Sequence, residues 1–439
     1  GIAPVPDYKR ISQSTSLGIY LKMKIRRVLC VAVLAAMLAC ATASQAANVK
    51  IRVAGFGGTD TAIVEELIAR FVQPNLKGIT VAYEPIPDAY DKWIVNALSA
   101  GTGPDLFYVD IFWAQGLFSS GAVEPLDPYL AKSNILQGKD IIPALLNAFT
   151  YKGKVYGIPK DFNTLALIYN KDMFDIAKVP YPDKNDDWNT FTAKLQKVQA
   201  AFPGVYGVCL SPEFARMGAF AYATGFRSFD KNGKTDILSK EFRDAFNWYT
   251  GLAAKGIGVM PADIGQGWGG GALAVEKVAC CFEGAWIVGF LRDESPNLNY
   301  GATLLPKYPG TGQRGNLTFT VSWSINAASK HKDEAFKVLE LLTSPEAQQW
   351  VLERGLALPS RRALVNNPYF KKTDKEAVAN QVVFEGAADG YVMPFEFGQY
   401  GGDWMMPIND ALVSVMSGQQ SADAALKEAQ KRLNELIGK

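Results

Sequence analysis

The stretch NVKIRVAGFGGTDTAIVEELIARF, residues 48–71, decides the architecture. Asn48 to Ala54 alternates apolar and polar residues, as a strand with one buried face does. It runs into Gly55-Phe56-Gly57-Gly58-Thr59-Asp60, after which Ile63, Leu67, Ile68 and Phe71 share one face of a helix. The unit then recurs. Gly78 to Tyr83 reads as a second strand and Asp88 to Leu98 as a helix capped near Asp88. Pro104 to Val109 reads as a third strand, ending at Asp110 and followed by a helix over Phe112 to Phe118. Strand–helix–strand alternation of this kind implies parallel strands and an α/β layer fold.

A second block opens after Tyr156-Gly157-Ile158-Pro159-Lys160-Asp161-Phe162-Asn163 and the apolar run Leu165 to Tyr169. It holds helices around 187–201 and 239–254 and strand-like runs at Tyr206–Leu210 and Lys277–Phe282. Phe319 to Ile325 is a further strand. Ser329 then caps a helix carrying Phe336, Leu339 and Leu342, and Ser344-Pro345 starts the next with Ser as N-cap and Pro at the first helical position. A last helix from Ser421 shows Leu426, Ala429, Leu433, Leu436 and Ile437 on one stripe. At 439 residues the chain is long for one hydrophobic core, so two α/β blocks are the expectation.

Ahead of them, Met23-Lys24-Ile25-Arg26-Arg27 and the apolar run Val28 to Leu38 lead to Ser44-Gln45-Ala46, the layout of a secretory signal peptide. Residues 1–46 are therefore read as leader and signal, and the protein as periplasmic or otherwise exported. Cys40, in Met37-Leu38-Ala39-Cys40, offers a lipid anchor as the alternative processing. Removing six Lys/Arg and one Asp with the leader leaves 39 basic and 42 acidic residues, a formal net of −3. That balance points away from nucleic acid as a partner. Three cysteines remain, Cys209, Cys280 and Cys281, and export permits a disulfide. Neighbours on a strand face opposite ways, so at most one of Cys280 and Cys281 can meet Cys209; three buried small hydrophobes are the alternative.

Catalytic parts are scarce. The one histidine, His331, sits in the polar segment Ser329-Lys330-His331-Lys332-Asp333 and reads as a solvated surface residue. No second His is present to activate a nucleophile or complete a zinc ligand set. Neither Gly57-Gly58 nor Gly267-Trp268-Gly269-Gly270-Gly271 fits a dinucleotide or phosphate-loop fingerprint. No metal and no cofactor is expected. What is plentiful is tryptophan. Trp93, Trp248 and Trp350 lie in amphipathic helices and read as core, and Trp188 opens a helix and packs there. Trp113, Trp268, Trp286, Trp323 and Trp404 lie at strand ends or beside glycines. Such rings offer broad apolar faces to a sugar ring, while Asp110, Asp161, Asn163, Glu213 and Glu283, near the same strand ends, offer acceptors for its hydroxyls.

Several blocks in order resemble the bacterial extracellular solute-binding proteins, and most closely their sugar-binding members of the maltose and trehalose type. They are Gly101-Thr102-Gly103-Pro104-Asp105-Leu106-Phe107, Gly153-Lys154-Val155-Tyr156-Gly157-Ile158-Pro159, and Leu167-Ile168-Tyr169-Asn170-Lys171-Asp172. Further on come Lys277 to Trp286 (KVACCFEGAW) and Ser324 to Lys330 (SINAASK). The resemblance implies a two-lobed periplasmic-binding-protein fold, hinge crossings near Lys160–Thr164, Val321–Ile325 and Leu358–Asn367, and a ligand cleft between the lobes. It assigns 47–160 and 323–362 to one lobe, and 161–322 and 363–439 to the other. It further implies ligand contacts from Gly57, Gly58, Asp110, Trp113, Asn163, Glu213, Gly284, Trp286, Arg361 and Trp404, joining Asp161, Trp268, Glu283 and Trp323. The implied role is capture of a sugar or small oligosaccharide by a monomer that delivers it to the permease subunits of an ABC importer. Two other readings stand beside it. One is an exported hydrolase pairing Glu283 with Asp110; the other is the same fold holding a polyol or polyamine.

Overall fold

The computed structural model describes residues 48–355 and 357–438. The leader, its cleavage region and Cys40 lie outside the described residues. Residues 51–75 and 81–439 gather into one compact unit; the other unit, 1–50 with 76–80, is represented among the described residues by 48–50 and 76–80. The strands are β1 (Val49–Phe56), β2 (Ile79–Ile86), β3 (Leu106–Asp110), β4 (Ile158–Asn163), β5 (Ala166–Asn170) and β6 (Tyr206–Cys209). They continue with β7 (Gly258–Val259), β8 (Val278–Glu283), β9 (Tyr300–Thr303), β10 (Gly315–Ile325) and β11 (Tyr391–Pro394). A two-residue hairpin, Thr150–Tyr151 with Lys154–Val155, precedes β4.

Two larger sheets result. The first runs β11-β10-β3-β1-β2, with β4 also on β10, and the second runs β9-β5-β8-β6-β7. The α/β expectation is met, but the sheets are mixed rather than parallel. β1 and β3 are parallel, as are β8 and β6. β10 runs antiparallel to both β3 and β4, and β5 antiparallel to β8 and β9. β4 and β5 are separated by only Thr164 and Leu165 yet lie in different sheets, so the chain passes from the first sheet to the second at this point.

β10 is longer than the sequence pattern suggests, with eleven residues instead of the seven from Phe319 to Ile325. Its first part pairs with β11 and its later part with β3 and β4, so one strand serves two regions of the chain. The polar residues Asn316, Ser322 and Ser324 interrupt its apolar pattern, yet all are buried. Asn316 earns its place through Oδ1, which accepts from Leu165 N–H (2.8 Å), while its Nδ2 donates to Leu165 O (2.8 Å). Phe162 and Leu358 exchange both backbone bonds (3.1 Å each), tying the Leu358 segment to β4.

Helix starts follow cap chemistry. Ser344, Ser421, Asp187 and Ser239 each accept from a backbone N–H of the first turn. Two expected caps fall elsewhere. The helix after β2 spans Tyr90–Ser99 and is preceded by Ala89 in the left-handed region rather than by a capping Asp88. Ser329 accepts from His331 N–H, and the helix itself begins at Lys332. Cys209, Cys280 and Cys281 are buried free thiols, so the bridge left open above is not formed; burial also pushes the Cys209 thiol up to about 12.

Candidate ligand-binding site

β4 carries a bulge that shapes the site. Asp161 pairs with Val321 and Pro159 with Ser322, which leaves Lys160 as the extra residue. A bulge re-aims the side chains around it, and here the consecutive Lys160 and Asp161 both line one cavity, together with Asn163. Phe162 lines a different cavity.

The first cavity has a volume of about 190 Å³. One wall comes from the C-terminal end of β1 and the helix after it, with Phe56, Thr59, Asp60 and Ile63; Tyr108 and Trp323 also line it. Trp286, which follows β8 of the second sheet, lines it too. The loop beyond the carboxyl end of a strand is where α/β sheets present ligand-binding groups. Gly57 and Gly58 do not line the cavity. They make the turn that delivers Thr59 and Asp60: Gly58 adopts φ 66°, open to glycine at little cost, and Gly57 N–H donates to Ile86 O.

Charge is concentrated on this wall. Lys160 Nζ donates to Asp161 Oδ2 and lies 4.9 Å from the Tyr108 ring centroid. Burial works against the Lys160 charge, but Asp161, Asp60 and Asp110 outweigh it and raise its pKa. Burial raises the Asp161 carboxyl, with Lys160 opposing. Asp110 is pushed up to about 7, chiefly by burial. Its carboxylate accepts from Phe112 N–H (3.2 Å), so it caps the helix Ile111–Ser119 and does not line the cavity.

The surroundings of Trp286 are built differently. Trp286 Nε1 donates to Glu283 Oε2 (2.9 Å), and Arg216 Nη2 donates to the same oxygen (2.8 Å). The Arg216 guanidinium also lies 5.3 Å from the Trp286 ring centroid, and Phe319 meets that ring edge-on at 5.5 Å. Glu283 is fully buried. Burial opposes the Arg216 charge, but Glu283 beside it more than compensates and raises the guanidinium pKa. Gly284 makes room for the tryptophan, since a Cβ there would stand 2.5 Å from the ring. A Cβ on Gly269 would stand 2.7 Å from Glu283 Oε1, so the first of the three successive glycines leaves space for a buried carboxylate.

The structure thus brings Asp161, Asn163, Trp286 and Trp323 to the cavity and places the other candidates elsewhere. Trp323 is 1% exposed and packs on Tyr108 at 4.4 Å, a floor more than a free face. Asn163 Oδ1 accepts from Ala285 N–H (2.7 Å), pinning the turn before Trp286. Glu283 sits beneath Trp286 rather than in the cavity, because its charge is taken by Arg216. Asp110 caps a helix off the first sheet and lines the cavity no more than Glu283 does, so the hydrolase pair shares no site there. Trp404 is fully buried, stacked on Phe397 at 4.5 Å, with Nε1 donating to Thr235 Oγ1 (2.9 Å). Arg361 is buried and spends its guanidinium on Thr343 O and Ile135 O. Trp268 packs against Phe290 (4.8 Å), Glu213 is exposed at the N-cap of the helix Phe214–Ala223, and Trp113 lines a separate surface groove with Val95 and Gly401. Asp60, Tyr108 and Arg216 escaped the sequence reading. Asp60 had a signal, its place just past the strand end; Arg216, on a helix turn with no motif, had none.

Residues 66–379 match the family model described as bacterial extracellular solute-binding protein. The chain belongs to that family. A binding protein of Brucella abortus (strain 2308) is 26% identical to this solute-binding protein over 414 residues, spanning 92% of this chain and 96% of that one. The galactooligosaccharide-binding protein of Bacillus subtilis (strain 168) is 21% identical over 381 residues, spanning 83% of this chain and 84% of its own. Among solved structures, the ABC substrate-binding protein from Listeria monocytogenes in complex with cycloalternan superposes with a TM-score of 0.80 at 21% identity, covering 89% of this chain and 99% of that chain. This likeness shows the two-lobed binding-protein fold. The family is one of binding proteins, not enzymes. Among the described residues no group of His, Cys, Asp and Glu is placed to hold a metal ion, and no helix is long and apolar enough to cross a membrane.

Proposed function

We propose that this solute-binding protein captures a neutral sugar, or the end of a small oligosaccharide, and delivers it to the permease subunits of an ABC importer. The observation that carries this reading is that Trp286 lines one cavity together with Asp60, Asp161 and Lys160. An aromatic face against sugar C–H groups and charged acceptors against hydroxyls make a complementary pair. Two lining carboxylates against one lysine disfavour phosphorylated and acidic sugars. We read the two sheets as the cores of two lobes, 47–160 with 323–362 and 161–322 with 363–439, with β4 and β10 as hinge strands. The galactooligosaccharide-binding relative supports the choice of ligand class.

Mass spectrometry of the protein under native conditions, followed by fluorescence titration with glucose, galactose, maltose, maltotriose and galactobiose, tests the reading. A co-purifying sugar, or saturable quenching by one of the panel, is expected. No response to any of them overturns it. The excess of carboxylates favours one second reading, a polyamine or amino sugar, and spermidine in the same titration separates the two.

A further inference from the structure

Behind Trp286 lies a buried ion pair, Arg216 with Glu283, neither of which lines the cavity. Glu283 is the most enclosed carboxylate of the site, with its side chain fully buried and that of Arg216 14% exposed. Taking two charges out of water costs more than their attraction usually returns, so a buried pair is weak grounds for a stability role. This one is also imperfectly satisfied. Glu283 Oε1 and Arg216 Nε are buried without a hydrogen-bond partner. A packing device would do better with apolar residues of the same volume.

What the pair does achieve is to hold Trp286 from two directions. Glu283 Oε2 takes the indole N–H, which fixes the ring's edge, and the Arg216 guanidinium lies against the ring, which fixes its tilt. Because a single oxygen accepts from both, the ring and the cation are set relative to each other. Gly269 and Gly284 give the space this needs, one under the carboxylate and one under the ring. Asn163 completes the support from β4 by holding Ala285 N–H.

We propose that Glu283 and Arg216 are positioning residues. They preorganise Trp286 with its remaining surface toward the cavity and tune ligand affinity without touching the ligand. Preorganised rings bind more tightly because less freedom is lost on association. The proposal rests on the reading of Trp286 as a ligand-facing ring, so one arm of the test needs no ligand.

In an ¹⁵N-labelled protein the cross-peak that W286F removes is the Trp286 indole N–H. That peak is expected to be shifted and slow to exchange in the wild type, and to move and exchange faster in both E283Q and R216K. E283Q keeps the volume and an acceptor oxygen, and R216K keeps the charge, so both variants should fold. An unmoved Trp286 peak in both variants overturns the proposal, whatever the protein binds. In the binding arm, titration with the sugar panel is expected to show about tenfold weaker binding for E283Q, the size of one charge-assisted hydrogen bond. In the W286F background the same substitution should cost little, because residues acting through one another are not additive. Equal losses in both backgrounds would mean direct contact with the ligand and would overturn the proposal. Silence of the wild type toward every sugar sinks the transport reading instead, while the indole peak still decides the positioning role.

Discussion

Trp286 and Trp404 look alike in sequence. Each follows a glycine by two residues, with an acidic residue close by, in Glu283-Gly284-Ala285-Trp286 and Gly402-Asp403-Trp404. In the folded protein they are opposites. Trp286 keeps part of its surface open on the cavity, with its nitrogen held by a buried carboxylate. Trp404 is sealed between Phe397, Phe214 and Phe229, and its nitrogen is satisfied by Thr235. The neighbours that decide the difference come from distant parts of the chain: Arg216 and Phe319 for one, Thr235 and Phe214 for the other. Local spacing marks a strand end or a turn. It does not say which rings the rest of the chain will cover.

The largest effect that breaks the pair apart is on stability. W404A should cost about 3–5 kcal/mol, the range for removing a large buried aromatic, with the Thr235 hydroxyl keeping its bond to Ser228 O but losing the indole N–H it accepts from. Thermal unfolding should show a fall of many degrees, and binding by the fraction that remains folded should be nearly unchanged. A mild fall would mean the sealed ring is not a core residue. W286A should do the reverse. Losing one apolar face against a ligand is worth about 1.5–3 kcal/mol, so calorimetric Kd should rise roughly ten- to a hundredfold with a small change in melting temperature.

The same contrast is legible in part from residues alone. The alternation of Asn48 to Ala54 and the Ser344-Pro345 start each depend on neighbours within a few positions and fold as their pattern predicts, while the helix after β1 keeps to its pattern as far as Leu67 and then widens into a π-helix over Ile68–Val72. The cavity does not work that way. The bulge at Lys160 depends on how β4 registers with β10, about 160 positions away in sequence, and no pattern in Ile158 to Asn163 announces it. Glu283 was legible as an unusual carboxylate at a strand end. Its partner Arg216 lies 67 positions upstream, so its role as a support beneath a ring was not. Cys280 and Cys281 were readable as alternating strand residues, while their failure to meet Cys209 as a disulfide required the packed second sheet.

Carboxylates sharpen the comparison in smaller steps. Asp161 lines the cavity, whereas Asp110 caps a helix beside it. D161N keeps the shape and removes a charged acceptor, so ligand affinity should fall about tenfold, near 1.5 kcal/mol, in the same calorimetric titration. An unchanged Kd would remove Asp161 from the list of ligand contacts and leave it as the counter-charge of Lys160.

D110N should hardly touch affinity and should instead change how stability depends on pH. Burial raises the Asp110 carboxyl to about 7 in the folded protein, against about 3.9 in an unfolded chain. The folded state therefore holds a proton that the unfolded state gives up. Its contribution is fully present below about pH 4 and is lost as pH rises through about 7. Asparagine caps a helix as well as aspartate does, so D110N keeps the bond from Phe112 N–H while abolishing this titration. Melting temperatures measured from pH 4 to 8 should decline less steeply in D110N than in the wild type, with D110N higher by about 1–3 °C at pH 8. Parallel curves would show that the charge on Asp110 is accommodated by Lys160 at no cost, and that the cavity wall is indifferent to it.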